Sequence, residues 1–218
     1  NKAVEQAIKL GMDVVAAAGN SGPGAKTIGS PADDPAVLTV AAALNPNKVS
    51  DFSSRGLTED GLVKPDITAP GEFITSWAAP NSQLDNIGKT LQTIRDMTPD
   101  QLTTLFTNKP DLIQALGLPS NVMSLSPKER EKVVKTNLPP MFKPTADTLA
   151  GPGTSFASPE VAGLAALLKQ AVPNSTPADR KEAFMKTADS MGSNYKPVDQ
   201  GAGFVDADEA VKYLKEHK

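Results

Sequence analysis

The sequence predicts an α/β fold organised on a mostly parallel sheet, and three observations carry that reading. Residues 12–20 (MDVVAAAGN) and 36–44 (AVLTVAAAL) are short, continuous apolar runs, the pattern of strands buried on both faces. A helical stripe of Val4, Ala7, Ile8 and Leu10 stands before the first run. A second helical pattern, rich in small residues, extends from Ser155 to about residue 171. Helix and buried strand in alternation give an α/β domain with a parallel sheet.

In chain order, the first helix occupies residues 2–10 and stops at Gly11, a good C-terminal cap. Because the chain opens in mid-pattern, further residues are expected upstream of Asn1. The first strand run leads into a Gly/Ser/Pro loop (SGPGAKTIGSPADDP), and the second into the loop DFSSRG. PDITAPGEFITSW offers short strand pieces around Pro70 and Gly71. Residues 80–149 read as a helical insertion. Thr98-Pro99, Lys109-Pro110 and Ser126-Pro127 each set proline at a first helical position, Ser126 with Glu129 forms a capping box, and Gly117 ends the middle helix. NLPPMFKP returns the chain extended. After the helix that begins at Ser155, Ser175 or Thr176 caps the next one, with Pro177 in its first turn. A turn, a short strand and an amphipathic helix carrying Ala207, Ala210, Val211 and Leu214 close the chain.

The 218 residues suit a single domain, and 39% hydrophobic with 22% charged residues is ordinary globular usage. A net charge of -3, with no basic cluster beyond a short run at 128–135, gives no reason to expect nucleic acid or an anionic membrane as partner. The absence of cysteine excludes disulfides, thiolate metal sites and a cysteine nucleophile. No run approaches the roughly 20 apolar residues of a membrane span.

Two residues draw attention as chemistry. Ser155 stands at a helix N-terminus, where unpaired N–H groups and the helix dipole favour a developing anion. Ala157, Ala162, Gly163, Ala165 and Ala166 allow close packing that would hold it rigidly. On local features alone a plain N-cap is the better explanation of a serine there. Asn20 ends an apolar strand, where sites in parallel sheets collect and where a carboxamide can donate to an oxyanion. Taken alone, Asn20 reads better as a turn-former.

Taken together, VVAAAGNSGPG, KPDITAPG and GTSFASPEVAGLAALL, in this order, strongly resemble the subtilisin-like serine proteases (subtilases), and GAGFVDADEAV resembles that family's last strand-to-helix turn. The resemblance covers roughly residues 1–80 and 150–218 and implies a three-layer α/β/α domain, present here as its C-terminal half. It implies that Ser155 is the nucleophile and that Asn20 donates to the oxyanion alongside the Ser155 N–H. Loss of such an asparagine costs on the order of 10²–10³ in rate, a magnitude borrowed from subtilisin. It further implies that Ala17, Ala18, Gly19 and Thr154 contact substrate, with Gly29, Ser30 and Pro31 at the far end of the specificity pocket. The substrate would be a polypeptide, and the enzyme secreted or in the cell envelope.

The family's aspartate and histidine precede its asparagine, and only nineteen residues precede Asn20 here. The acid–base half of the triad is therefore expected upstream, the missing N-terminal half becomes the implied partner, and this chain alone is expected to be inactive. A sheet cut in half would leave a free edge, so self-association of the fragment is also expected. His217, the only histidine, lies in the tail LKEHK and follows the serine without the G-x-S-x-G elbow of an α/β-hydrolase. Gly88-Lys89-Thr90 resembles a phosphate loop only in part, since Gln83 stands where glycine is needed. Asn174-Ser175-Thr176 fits a glycosylation sequon by pattern alone. Glu160 replaces a histidine common at that point of the family run, outside the triad. Asp33, Asp34, Asp51 and Asp66 have turn and cap positions rather than ligand spacing. No cofactor or metal is expected in this chain, while the resemblance allows calcium in the intact enzyme. A non-catalytic subtilase-like module is the alternative from another class. The insertion reads as a surface excursion or as a flank of the cleft.

Overall fold

The computed structural model describes residues 2–218. The chain runs through α1 (Lys2–Lys9), β1 (Val15–Ala17), β2 (Leu38–Asn45), β3 (Lys48–Val49), β4 (Gly56–Leu57), β5 (Val63–Lys64), β6 (Ile67–Pro70) and β7 (Ile74–Trp77). It continues with α2 (Gln83–Asp96), α3 (Pro99–Asn108), α4 (Asp111–Ala115), a 3₁₀ turn at Val122–Ser124 and α5 (Pro127–Asn137). β8 (Thr148–Gly151), α6 (Thr154–Ala171), α7 (Pro177–Thr187), α8 (Pro197–Gln200) and α9 (Ala207–His217) complete it. Two compact units emerge: Asn1–Ile74 with Pro152–Lys218, and Thr75–Gly151.

In the first unit β2 is the central strand. β1 pairs with it in parallel, Ala16 opposite Thr39, and β6 pairs in parallel on its other side, Ala42 opposite Ala69. β3 adds a short antiparallel pairing, Ala43 opposite Val49, through an irregularity near Asn45. The side-chain period of two sends Leu38, Val40 and Ala42 to one face, where they meet Ala157, Val161, Ala165 and Leu168 of α6, with Phe184 of α7 and Leu214 of α9. On the other face Ala16, Ala18, Ile28, Ala32 and Val37 pack with Val4 and Ile8 of α1. Helices thus cover both faces of a mostly parallel sheet.

Buried polar side chains stitch this unit together over long separations. Asp66 accepts from Thr39 N (2.7 Å), Lys64 Nζ (2.7 Å) and Lys181 Nζ (3.1 Å), so it is a core acceptor rather than the turn or cap residue expected. Desolvation pushes the Lys181 ammonium down to about 8, against the attraction of Asp66. Arg180 bonds Asp13 through Nε (2.9 Å to Oδ1) and also holds the hydroxyl of Ser175 (2.9 Å). That spends Ser175 inside the unit, and Thr176 is the residue that caps α7.

The Thr75–Gly151 unit has its own core, with Leu91, Ile94, Leu102, Phe106, Val122 and Val134 buried together. Thr98 with Gln101 and Ser126 with Glu129 close capping boxes on α3 and α5. Buried Arg130 donates to the carbonyls of Val122 (3.2 Å), Met123 (2.9 Å) and Leu125 (2.9 Å), satisfying a turn that lacks regular pairing.

Several elements differ from the expectation. The first strand is only Val15–Ala17, because the chain turns at Gly19 with φ +109°. Leu10 does not join the buried stripe and is 68% exposed. α2 was not anticipated: Ser82 caps it by accepting from Asp85 N, and Gly88-Lys89-Thr90 lies inside it, which removes any phosphate-loop geometry. Pro110 occupies the N-cap position of α4 rather than its first turn. The hairpin β4–β5, with Gly56 opposite Lys64, also escaped the sequence reading. The short strand before α9 reduces to isolated bridges from Phe204 to Thr68 and Asp189.

Candidate active site

The end of β1 and the start of α6 meet to form the site. Gly153 is the N-cap of α6 and makes no side-chain cap bond, so Ser155 lies inside the first turn. An N-cap serine spends its oxygen on a backbone N–H. Ser155 does not: it is exposed, and its hydroxyl has no hydrogen-bond partner among the described residues. A Cβ at Gly153 would stand 2.9 Å from Ser155 Oγ, so the glycine leaves the hydroxyl its room. First-turn N–H groups supply a positive environment for an oxygen that gains charge there.

Asn20 is held by the residue before the serine. Its Oδ1 accepts from Thr154 N and from Thr154 Oγ1, both at 3.0 Å. A peptide N–H can only donate, so this contact fixes which end of the carboxamide is oxygen and leaves the Nδ2 hydrogens facing away from Thr154. Thr154 Oγ1 also accepts from Gly19 N at 3.2 Å. With 1% exposure, Thr154 is a buried clamp on Gly19 and Asn20, and its side chain has no surface left for the substrate contact expected of it.

The other expected pocket residues divide. Ala17 and Gly19 are half-buried at the strand end, and Gly29, Ser30 and Pro31 are exposed on the loop that follows. Ala18 departs from expectation. Its methyl group is 1% exposed and points into the cluster of Ala16, Ile28, Ala32 and Val37, so only its backbone can line a pocket. Thr27 shapes the loop: its hydroxyl donates to Gly24 O (2.7 Å), lies 3.1 Å from Gly22 O and accepts from Arg55 N (3.3 Å).

The structure adds a segment that sequence reasoning passed over as a plain loop. Ser53, Ser54 and Arg55 are buried, and Ser54 N donates to Gly19 O at 2.8 Å. Only a run of small hydroxyl residues between strands could have signalled it, and serine-rich runs mark ordinary turns just as often.

No base for Ser155 stands among these contacts. His217, at the exposed end of α9, engages the Tyr213 carbonyl through Nδ1 (2.7 Å) and stacks on the Tyr213 ring with centroids 4.1 Å apart. Glu160, farther along α6, has its carboxyl pushed up by burial. Among the described residues no three histidine or acidic side chains converge as a metal site would need.

Fold and site together define a class: α/β proteins with a helix-borne serine one residue from the clamp on a strand-end carboxamide. The chain belongs to the subtilase family (Peptidase S8), which matches residues 1–204. It is 32% identical over 217 residues to the serine protease AprX of Bacillus subtilis (strain 168), covering 96% of this chain and 37% of AprX. It is 31% identical over 180 residues to the minor extracellular protease Vpr of the same organism, covering 80% of this chain and 15% of Vpr. The chain thus spans little more than a third of a relative that it matches almost throughout. Among solved structures it resembles fervidolysin from Fervidobacterium pennivorans, a keratinolytic enzyme related to subtilisin. There the TM-score is 0.57 at 24% identity, over 97% of this chain and 24% of that one. The prenylagaramide maturation protease PagA gives a TM-score of 0.58 at 21% identity, over 98% of this chain and 54% of that one. These likenesses establish the shared fold.

Proposed function

We propose that this chain is the C-terminal catalytic segment of a serine endopeptidase that cleaves polypeptides through an acyl-enzyme. Ser155 Oγ attacks the scissile carbonyl carbon while its proton passes to a histidine supplied upstream of Asn1, oriented by an upstream aspartate. The carbonyl oxygen becomes an oxyanion that accepts from Asn20 Nδ2 and Ser155 N. The tetrahedral adduct then expels the amine, which takes the proton from the histidine, and water releases the acyl group by the same route. The observation that carries this reading is the clamp of Thr154 on Asn20 Oδ1 through two 3.0 Å bonds, which leaves the amide hydrogens to donate elsewhere. Residues 17–19 and 29–31 would line the pocket, Ala18 through its backbone.

The isolated chain has no general base for its serine, so it would be inactive alone. Its missing half would continue the sheet along β1, whose outer edge pairs with no strand among the described residues. Exposed Leu10, Met12 and Leu167 lie on the unit that keeps this free edge, and the isolated fragment would self-associate. Neither nucleic acid nor a membrane is a partner in this reading, and no cofactor is held by this chain, although calcium elsewhere in the intact enzyme is compatible with it. A secreted or envelope location follows from the relationship to proteins such as Vpr, itself named as extracellular. No helix of the described residues is long and apolar enough to cross a membrane.

A fluorophosphonate probe on the full-length protein tests the reading. Labelling is expected in the natural protein and absent in Ser155→Ala. Equal labelling of both would dismiss Ser155 as nucleophile, and an upstream sequence lacking an Asp-x-Gly strand end and a His-Gly-Thr helix start would favour a non-catalytic module.

A further inference from the structure

We propose that Ser54 is a positioning residue for the oxyanion-binding amide of Asn20, an inference that rests on the serine-protease reading above. Asn20 is exposed at the end of a strand only three residues long. A carboxamide there keeps its aim only if both its side chain and its backbone are fixed. Thr154 fixes the side chain. The backbone is fixed on both sides by one other residue. Ser54 N donates to the carbonyl of Gly19 (2.8 Å), and Ser54 Oγ accepts from the N–H of Ser21 (3.1 Å), so Asn20 is bracketed between them.

The bracket is built to be stiff. Ser54 is 0% exposed. Gly19 adopts φ +109°, and a Cβ there would come within 2.9 Å of Ser54 Oγ, so the bare glycine lets the hydroxyl lie directly against the turn. The segment carrying Ser54 is itself tied to the central strand: Ser50 N donates to Ala42 O (2.9 Å), and Ala42 N donates to Ser53 Oγ (3.1 Å). A continuous line of hydrogen bonds therefore runs from β2 through residues 50–54 to both neighbours of Asn20.

Ser54→Ala keeps the bond to Gly19 O but deprives the Ser21 N–H of its acceptor, freeing the peptide that follows Asn20. The oxyanion exists only during reaction, so misplacing its donor lowers kcat and leaves substrate binding nearly intact. The test is a double-mutant cycle in the full-length protein, reading kcat and KM on a peptide substrate. Ser54→Ala is expected to lower kcat about tenfold with KM within about twofold. In an Asn20→Ala background the same change is expected to cost nothing further, because the group it positions is gone. An equal loss in both backgrounds, or an unchanged kcat, would overturn the proposal. Should Ser54→Ala not fold, Ser54→Cys, which keeps a weaker acceptor in place, carries the same cycle with the same criterion. Unlabelled Ser155 in the natural full-length protein would defeat the protease reading and this role with it. A labelled Ser155 with additive losses would defeat the role of Ser54 alone.

Discussion

The two units of this chain are built by different means. In Thr75–Gly151 the bonds span at most tens of positions: Lys143 reaches Asp85 across 58 and Arg95 reaches Met141 across 46, beside capping boxes that join residues three apart. In the other unit the decisive bonds join the two ends of the sequence. Thr154 reaches Asn20 across 134 positions, Thr68 reaches Gln200 across 132, and Arg180 reaches Asp13 across 167. The cores differ to match. Leucine, phenylalanine and valine fill the helical unit, whereas Ala42, Ala157 and Ala165 stand among larger side chains where the central strand meets α6. Small side chains let a helix lie close on a sheet, and close approach brings a strand end and a helix start within hydrogen-bond reach. The helical unit has stability from bulk, and the sheet unit has a site from proximity.

Substitutions can break that contrast. Phe106→Ala, in the centre of the helical core, should cost about 3–5 kcal/mol of that unit's stability through lost burial and a cavity. Urea unfolding followed in the full-length protein would reveal it, and an unchanged transition would refute a core of that kind. Asn20→Ala should do the opposite, leaving the unfolding midpoint in place while kcat falls by on the order of 10²–10³, the magnitude borrowed from subtilisin. Peptide hydrolysis with kcat and KM resolved separately checks it.

Thr154→Val removes one donor to Asn20 Oδ1 and the acceptor of Gly19 N but keeps the peptide N–H bond. A loss of about tenfold in kcat is expected from one weakened clamp. A loss as large as that of Asn20→Ala would mean that the hydroxyl does more than hold.

The smallest effect concerns acid. Lys218, and then the Thr176 N–H, hold the Asp179 carboxyl down at about 2. A carboxylate depressed in the folded state contributes stability above its unfolded pKa, and that contribution disappears as pH falls from about 4 through 2. The pair is solvent-accessible, so the contribution is modest. Thermal midpoints of the natural protein and Asp179→Asn should therefore differ most above pH 5 and converge near pH 2. A constant gap would remove the ion pair from the explanation.

The same contrast governs what could be read in advance. Ser126 with Glu129, Pro99 after Thr98 and Gly117 after α4 were legible because caps act within one turn of the residues that encode them. α2 escaped because its start has Ser82 and Asp85 but neither a proline at the first helical position nor the Glu or Gln of a capping box. The buried runs of β1 and β2 were legible as apolar blocks, but their lengths were not, since Gly19 ends the first by a turn that only its partners stabilise.

In the site, Ser155 and Asn20 were recognisable by motif, yet locally each also fitted a cap or a turn. For Ser155 the structure removes the N-cap alternative, because Gly153 holds that position and the Ser155 oxygen is left unspent. Thr154 and Ala18 were assigned to substrate contact by resemblance. Burial recast the first as a clamp and the second as core through its side chain. Ser54 was invisible, because a serine in DFSSRG acquires meaning only when Gly19 and Ser21 arrive beside it.

The sequence by itself determined the family, the alternation of helix and strand, and the small residues that permit close packing. Those are properties of local pattern and composition, set within a few residues of where they act. Tertiary structure decided which hydroxyl is free, which is buried in support, and which end of the Asn20 carboxamide is left to donate. The support of Asn20 depends on partners more than thirty positions away, and no local propensity encodes the geometry of such a meeting.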